Sequence, residues 1–363
     1  MPTCYLIREE HVPRKAAFPV IDAHNHLWGG WDKVPETVRV MDACGVAVYA
    51  DLTANLRLRF AGGGYRFETG DLADFKSHCD GPFPGRFFCF TTATFSSPVD
   101  RPLFTDVRAF AARTVELLRE HKAQGARGLK ILKELGLKYR NGSGDLVRVD
   151  DPGLAPVWDA CAELGLPVLM HQSDPVGFFE PVTPDNEHYD SLIKYPDWSF
   201  SDPSFPRKKE LIERRDRLIK RHPRTTFLLP HGGNWPEDLA YVSRLLDENP
   251  NVNIDFSARL DEFGRQPYRA REFFIRHQER IFFGSDMPAS EAMYRSYFRF
   301  LETFDEHFAC PDYDGTFSRL RWHIHGIGLP REVLAKIYYR NALKWIPGLP
   351  DPTLNERTDH ATR

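Results

Sequence analysis

The feature that most limits what this chain can fold into is a rhythm of eight short apolar runs with helical or turn-rich stretches between them. The runs are Val20-Ile21, Val46–Ala50, Arg86–Thr92, Gly128–Leu132, Pro167–His171, Thr226–His231, Val252–Phe256 and Ile281–Asp286. Unbroken apolar runs of this length read as strands buried on both faces, the habit of parallel sheets. Residues 33–44, 106–124 and 154–164 carry helical spacing and stop at Gly45, Gly125 and Gly165, a common helix ending. Further helices are predicted over 208–221, over 236–249 with Pro236 in the first turn, and over 269–277. Residues 56–85 read as a loop plus a short helix. The remainder to about 349 reads as helical.

This alternation, without a domain-sized break in composition, predicts the α/β class and a single (β/α)8 TIM barrel over residues 1–350. The 363-residue length suits such a barrel with additions, since the fold commonly takes about 250 residues. A doubly wound open sheet is the alternative. It is disfavoured because no Gly-rich phosphate loop follows the first strand. Residues 177–207 interrupt the rhythm with prolines and clustered aromatics, and a connection this long after strand five is expected to be a lid. Residues 351–363 read as a polar, frayed C-terminal tail.

Composition narrows the partners. A formal net charge of -3 argues against nucleic acid and against an anionic membrane surface. No apolar run is long enough to span a bilayer, and the N-terminal stretch lacks the apolar core of a signal peptide. Cys4, Cys44, Cys79, Cys89, Cys161 and Cys310 show neither CxxC spacing nor a compact framework, so they are expected to be reduced core residues. A cytoplasmic protein acting on a small molecule is the expectation.

In a barrel of this kind, reactive side chains gather at the C-terminal ends of the strands. The ionisable residues at those ends are His24 and His26 on strand one, Lys130 on four, His171 on five, His231 on six and Asp286 on eight. His24 and His26 are spaced i, i+2, so an extended chain presents both imidazoles on one face. Such a pair is weak evidence alone, because 14 histidines in 363 residues give roughly half a His-x-His by chance. A second pair, His323 and His325, follows the last strand between predicted helices and is set aside. The ordered set His, His, His, Asp at four strand ends is far harder to obtain by chance.

That set resembles the amidohydrolase superfamily: Asp-x-His-x-His after strand one, Lys130 in GARGLKIL, His171 in PVLMHQSDP, His231 in LLPHGGN and Asp286 in RIFFGSDMP. The segment Leu329–Leu334 with Ile337-Tyr338 and Asn341-Ala342 is similar to the C-terminal helices of the amidohydrolase-related branch, which also holds decarboxylases of the aminocarboxymuconate-semialdehyde type. The resemblance covers roughly residues 20–345. It implies one divalent metal, most often zinc, held by His24, His26, His171 and Asp286, with His231 beside it. Three imidazoles and a carboxylate suit Zn²⁺ or a similar ion on chemical grounds as well.

Asp286 and His231 are the catalytic candidates, the first moving a proton and the second stabilising charge on a substrate oxygen. Lys130 stands where two-metal members carry a carbamylated lysine bridging the ions. In the one-metal branch the lysine meets an anionic substrate. One ion is therefore the expectation, and two if Lys130 is carbamylated. Arg259, Trp28 and Trp235 are further candidates for substrate binding. Trp31 stands with the two tryptophans as a wall of an apolar pocket, Asp22 is a candidate to orient a metal ligand, and His188 and Arg207 of the insertion are weaker site candidates. The implied activity is metal-dependent hydrolysis of a small ester, lactone or amide, with non-oxidative decarboxylation of a small carboxylic acid as the alternative on the same site. The family's frequent dimerisation makes a homodimer an expectation as well.

Overall fold

Eight short parallel strands form the centre of the molecule, and all eight coincide with the apolar runs. They are β1 (Val20–Asp22), β2 (Val46–Asp51), β5 (Phe87–Cys89), β6 (Leu129–Ile131), β7 (Val168–Met170), β8 (Phe227–Leu229), β9 (Val252–Asp255) and β10 (Ile281–Phe282). A computed structural model describes residues 11–61, 64–310 and 321–353. Parallel pairing runs β1-β2-β5 and β6-β7-β8-β9-β10. The bridge between Thr91 and Leu129 joins the two groups. The last seam closes where Ala23 N donates to Phe283 O at 3.0 Å and Ser285 N donates to His24 O at 3.1 Å. The sheet is thus a closed eight-stranded barrel, as the rhythm predicts.

The helices between the strands pack their apolar faces on this barrel, and barrel and helices share one continuous core. Val34–Cys44 ends at Gly45, whose φ of 79° lies in the left-handed region that a glycine enters without strain. Val107–Ala123 begins at Asp106, whose carboxylate accepts from the amides of Arg108 and Ala109. Lys208–Arg221 falls where the apolar spacing places it.

Three stretches differ from the sequence reading. Residues 56–85 do contain a short helix, but they begin with an antiparallel hairpin, β3 (Leu56–Ala61) and β4 (Gly64–Thr69). The helix expected from Pro236 starts only at Leu239, because Asp238 caps it by accepting from Tyr241 N. The C-terminal region is helical over Glu291–Glu302 and again from Arg331 to Trp345, while residues 303–310 and 321–330 follow an irregular course. There the chain spends its aromatic and imidazole groups on stacking, as in His307 on His323 at 4.2 Å, instead of on a helical face.

The 177–207 insertion has a core of its own. Phe178, Phe179, Leu192, Tyr195, Trp198 and Phe200 bury one another against Leu137 and Leu211. Cys44, Cys79, Cys89 and Cys161 are buried free thiols, and Cys310 is half-buried. Cys4 and most of the 351–363 tail lie outside the described residues. Among the described residues no helix is long and apolar enough to cross a membrane.

Candidate metal centre

The strand ends deliver a tight polar cluster into an apolar surrounding. Asp286 sits at the centre: its carboxylate lies 3.6 Å from His24 Nε2, 3.5 Å from His26 Nε2 and 3.6 Å from His231 Nε2. Two donors each about 2.1 Å from one tetrahedral ion lie roughly 3.4 Å apart, so these separations are those of groups that share a cation. The ligating atoms of His24, His26 and Asp286 fall within 4.8 Å of one another. His24 and His26 lie beyond the end of β1, and both reach the Asp286 carboxylate.

What holds each imidazole decides which nitrogen faces the cluster. His24 Nδ1 lies 2.8 Å from Asp255 Oδ2, so Nδ1 carries the hydrogen and the lone pair of Nε2 points at Asp286. His231 Nδ1 lies 2.8 Å from the carbonyl oxygen of Ser257, an acceptor only, so its Nε2 is likewise unprotonated in the neutral ring. Burial holds His231 well below the usual histidine range, with His171 and Arg259 acting in the same direction. This makes its Nε2 an acceptor or a ligand, and not the donor to a substrate oxyanion that the sequence suggests. His26 Nδ1 contacts Thr53 Oγ1 at 2.9 Å, and burial lowers this imidazole too.

His171 stands slightly apart. It lines the same cleft and its ring lies 4.4 Å from that of His231, but it falls outside the group of closest ligand atoms. Its Nε2 lies 3.3 Å from Asp174 Oδ1 without the alignment of a hydrogen bond. Asp174 is anchored by Lys133 at 2.6 Å, and burial brings His171 down to about 4, so the ring is neutral and able to ligate. Lys130 is buried beneath the cluster with Nζ 3.1 Å from His24 Nε2, where a positive charge already meets that lone pair. Burial pulls its ammonium down to about 8.

The fit to a divalent cation rests on buried polar atoms that no protein group satisfies. His171 Nε2, His231 Nε2 and Asp286 Oδ1 are all buried and lack a hydrogen-bond partner. Buried lone pairs without donors are costly and rare in proteins, and those of His231 and Asp286, side by side at the mouth, are what a cation resolves. Burial also raises the Asp286 carboxyl, against the pull of His24 and Lys130. The backbone agrees: His231 and Asp286 adopt φ of 58° and 52°, left-handed conformations that a non-glycine residue holds at a cost of order 1–3 kcal/mol.

The other sequence candidates are distributed unevenly. Trp28 lines the cleft with its Nε1 donating to Asn25 Oδ1 at 2.9 Å, and it packs edge-on against His26. Arg259 and Trp235 do not line the cleft. The Arg259 guanidinium turns to Asp174 and to the Ala258 carbonyl, and Trp235 packs on Tyr241. Asp22 is a fastener of the last seam, accepting from Ser285 N, Ser285 Oγ, Asn25 Nδ2 and Tyr294 OH. Trp31 stacks on His78, Arg207 precedes the helix from Lys208, and His188 lies in the insertion. Sequence reasoning missed Asp255, Thr53, Ser257 and Asp174, the groups that orient the ligands. It also missed Leu58 and Phe67, hairpin partners that wall the cleft with Leu132, Lys133 and Glu134.

A barrel with a metal-ligating cluster at its strand ends defines a metal-dependent enzyme class, and the comparisons identify it. The amidohydrolase family profile matches residues 21–347, so the chain belongs to the amidohydrolase family. No curated protein sequence matches the chain. Solved structures with the same fold include a 2,6-dihydroxybenzoate decarboxylase from Rhizobium, at 15% identity and a TM-score of 0.50 over 91% of this chain and 98% of that one. A dihydroxybenzoic acid decarboxylase from a Polaromonas species, solved with manganese and 2-nitroresorcinol, matches at 16% identity and a TM-score of 0.51 over 91% and 97%. An uncharacterised TIM-barrel protein from Bordetella bronchiseptica matches at 16% and 0.50 over 86% and 82%.

Proposed function

We propose that the protein is a metal-dependent hydrolase of a small organic ester, lactone or amide. The observation that carries this reading is the Asp286 carboxylate, set between the Nε2 atoms of His24, His26 and His231 with Oδ1 free of any protein donor. His24, His26 and Asp286 would hold the ion, with His171 completing the set. A bound divalent ion, Zn²⁺ by the ligand chemistry, polarises a carbonyl and acidifies water.

The chain's own groups do the rest. Asp286 Oδ1 takes a proton from the attacking water and returns it to the leaving alcohol or amine, a role suited to a carboxyl whose pKa burial raises. His231 Nε2 accepts a hydrogen bond from that water and fixes its direction of attack. Lys130 offers positive charge to the oxygen of the substrate that becomes negative. Trp28, Leu58, Phe67 and Leu132 keep bulk water from the acyl group.

A second reading is non-oxidative decarboxylation of a small aromatic acid. It is favoured by a cleft that combines apolar walls with Lys130 and Lys133, which suit a flat anionic substrate. The manganese and the nitroresorcinol of the Polaromonas enzyme fit that chemistry.

The test is elemental analysis of purified protein, followed by an ester, lactone and amide panel read by acid release and a hydroxybenzoate panel read by CO₂ release. Acid release that a chelator abolishes and added metal restores is expected. CO₂ release without hydrolysis would replace the first reading by the second, and turnover that persists after complete metal removal would end both.

A further inference from the structure

Among the described residues outside the barrel mouth, one other group of possible ligands contains buried lone pairs without donors. Its members are His188 in the insertion, and Asp261 and Glu262 in the turn of helix that follows β9. Their ligating atoms fall within 4.8 Å of one another. Glu262 is fully buried, and neither of its carboxylate oxygens has a hydrogen-bond partner. His188 is 5% exposed and its Nε2 is also unpartnered, 3.6 Å from Glu262 Oε1 and 3.7 Å from Glu187 Oε1. The 3.6 Å matches the donor separations found around Asp286 at the mouth.

The ring of His188 is aimed and not free. Phe178 and Trp322 meet it edge-on at 5.2 and 5.7 Å, and Asn186 Oδ1 accepts from its backbone amide at 2.9 Å. Each arginine nearby has another carboxylate partner, although Arg259 also lends its charge to Glu262 and leaves its Nε unpartnered. Arg265 forms a two-pronged pair with Glu187, at 2.5 and 3.0 Å, and Arg259 turns to Asp174 and the Ala258 carbonyl. Two carboxylates side by side, one of them wholly buried, repel each other unless a proton or a cation lies between them. One imidazole with carboxylate oxygens is a donor set for Zn²⁺ or Mn²⁺.

We propose that His188, Asp261 and Glu262 form a second divalent-cation site, which fastens the 177–207 insertion to the barrel. The alternative is a carboxyl pair sharing a proton, and the two differ in metal stoichiometry. Full-length protein is stripped with chelator, dialysed against Zn²⁺ or Mn²⁺ alone, and its bound metal is counted by elemental analysis.

Two equivalents per chain are expected in the unaltered protein. Glu262→Gln and, independently, Asp261→Ala should each leave one, as should His26→Ala at the mouth, and Glu262→Gln combined with His26→Ala should leave none. Metal counts that neither Glu262→Gln nor Asp261→Ala lowers overturn the proposal. If the mouth reading fails instead, the protein holds one equivalent that Glu262→Gln removes and His26→Ala leaves in place. A thermal readout covers a poorly folding variant: Zn²⁺ should raise the unfolding midpoint of stripped His26→Ala protein. No shift there would also overturn the site.

Discussion

The barrel mouth and the insertion above it are built on opposite terms. At the mouth, groups that are costly to bury are packed together: three imidazoles, Lys130 and Asp286, with two of the backbones that carry them in left-handed conformations. The aromatic core of the insertion holds no such strain. Its rings stack, as Tyr195 on Trp198 at 4.3 Å and Phe178 on Trp198 at 6.0 Å, and its turns satisfy themselves locally. The difference shows where the fold gives up stability for chemistry. At the mouth His231 Nε2 and Asp286 Oδ1 are left without protein partners where a ligand can meet them, while the aromatic core of the covering element obeys ordinary packing rules.

The contrast breaks most sharply at His24. His24→Ala removes the ligand that Asp255 orients and leaves a cavity beside Asp286, so the mouth ion should be lost together with at least about 10³-fold of turnover. Elemental analysis and steady-state kinetics check both. Retention of the mouth ion would move His24 out of the site. In the insertion, Phe200→Ala should cost about 3 kcal/mol of stability, the scale of a deleted buried ring, and lower the unfolding midpoint by several degrees. Turnover should change less than about tenfold, since Phe200 reaches no ligand. Calorimetry and kinetics on one sample separate the effects, and equal losses in both would make the insertion part of the reacting site.

A finer division runs inside the mouth, between groups that hold the ion and groups that act beside it. His231→Ala should keep the bound metal and lower turnover by roughly 10²-fold, because its Nε2 orients water in the proposed mechanism. Metal loss in that variant would show that His231 is a ligand, and unchanged turnover would remove it from catalysis.

How much of this was legible in the sequence follows from the same distinction. Residues that are buried because of the strand rhythm announce themselves, so the order of His24, His26, His171, His231 and Asp286 along the strand ends could be read directly. Groups that matter through a partner far along the chain could not. Asp255 is 231 residues from His24, and only the closed barrel brings them to 2.8 Å. It lies one residue before the end of the seventh apolar run and is the last residue of β9, so the strand-end rule applied to that run as well would have raised it. The tautomer of His231 depends on the Ser257 carbonyl and has no signature in residue order. The β3–β4 hairpin did leave a trace, the period-two pattern Leu56, Leu58, Phe60 and Tyr65, Phe67 around three glycines, which the surrounding charges mask.

That hairpin offers the smallest and most selective way to sharpen the comparison. Leu58 and Phe67 face each other across the two strands and both wall the cleft, while Arg66 reaches Asp197 of the insertion at 3.5 Å. The exposed ion pair contributes little. The apolar pair lies against the substrate's place without touching any ligand residue through a hydrogen bond. Leu58→Ala should therefore leave metal content and folding largely intact and widen the cleft by about three carbons. One methylene in such a pocket is worth about 1–3 kcal/mol of discrimination, so kcat/KM for small substrates should fall by about tenfold while bulkier acyl or aryl groups gain. The ratio of kcat/KM across a homologous substrate series measures this. An unchanged ratio would place the substrate elsewhere in the mouth and return the hairpin to a purely structural cover.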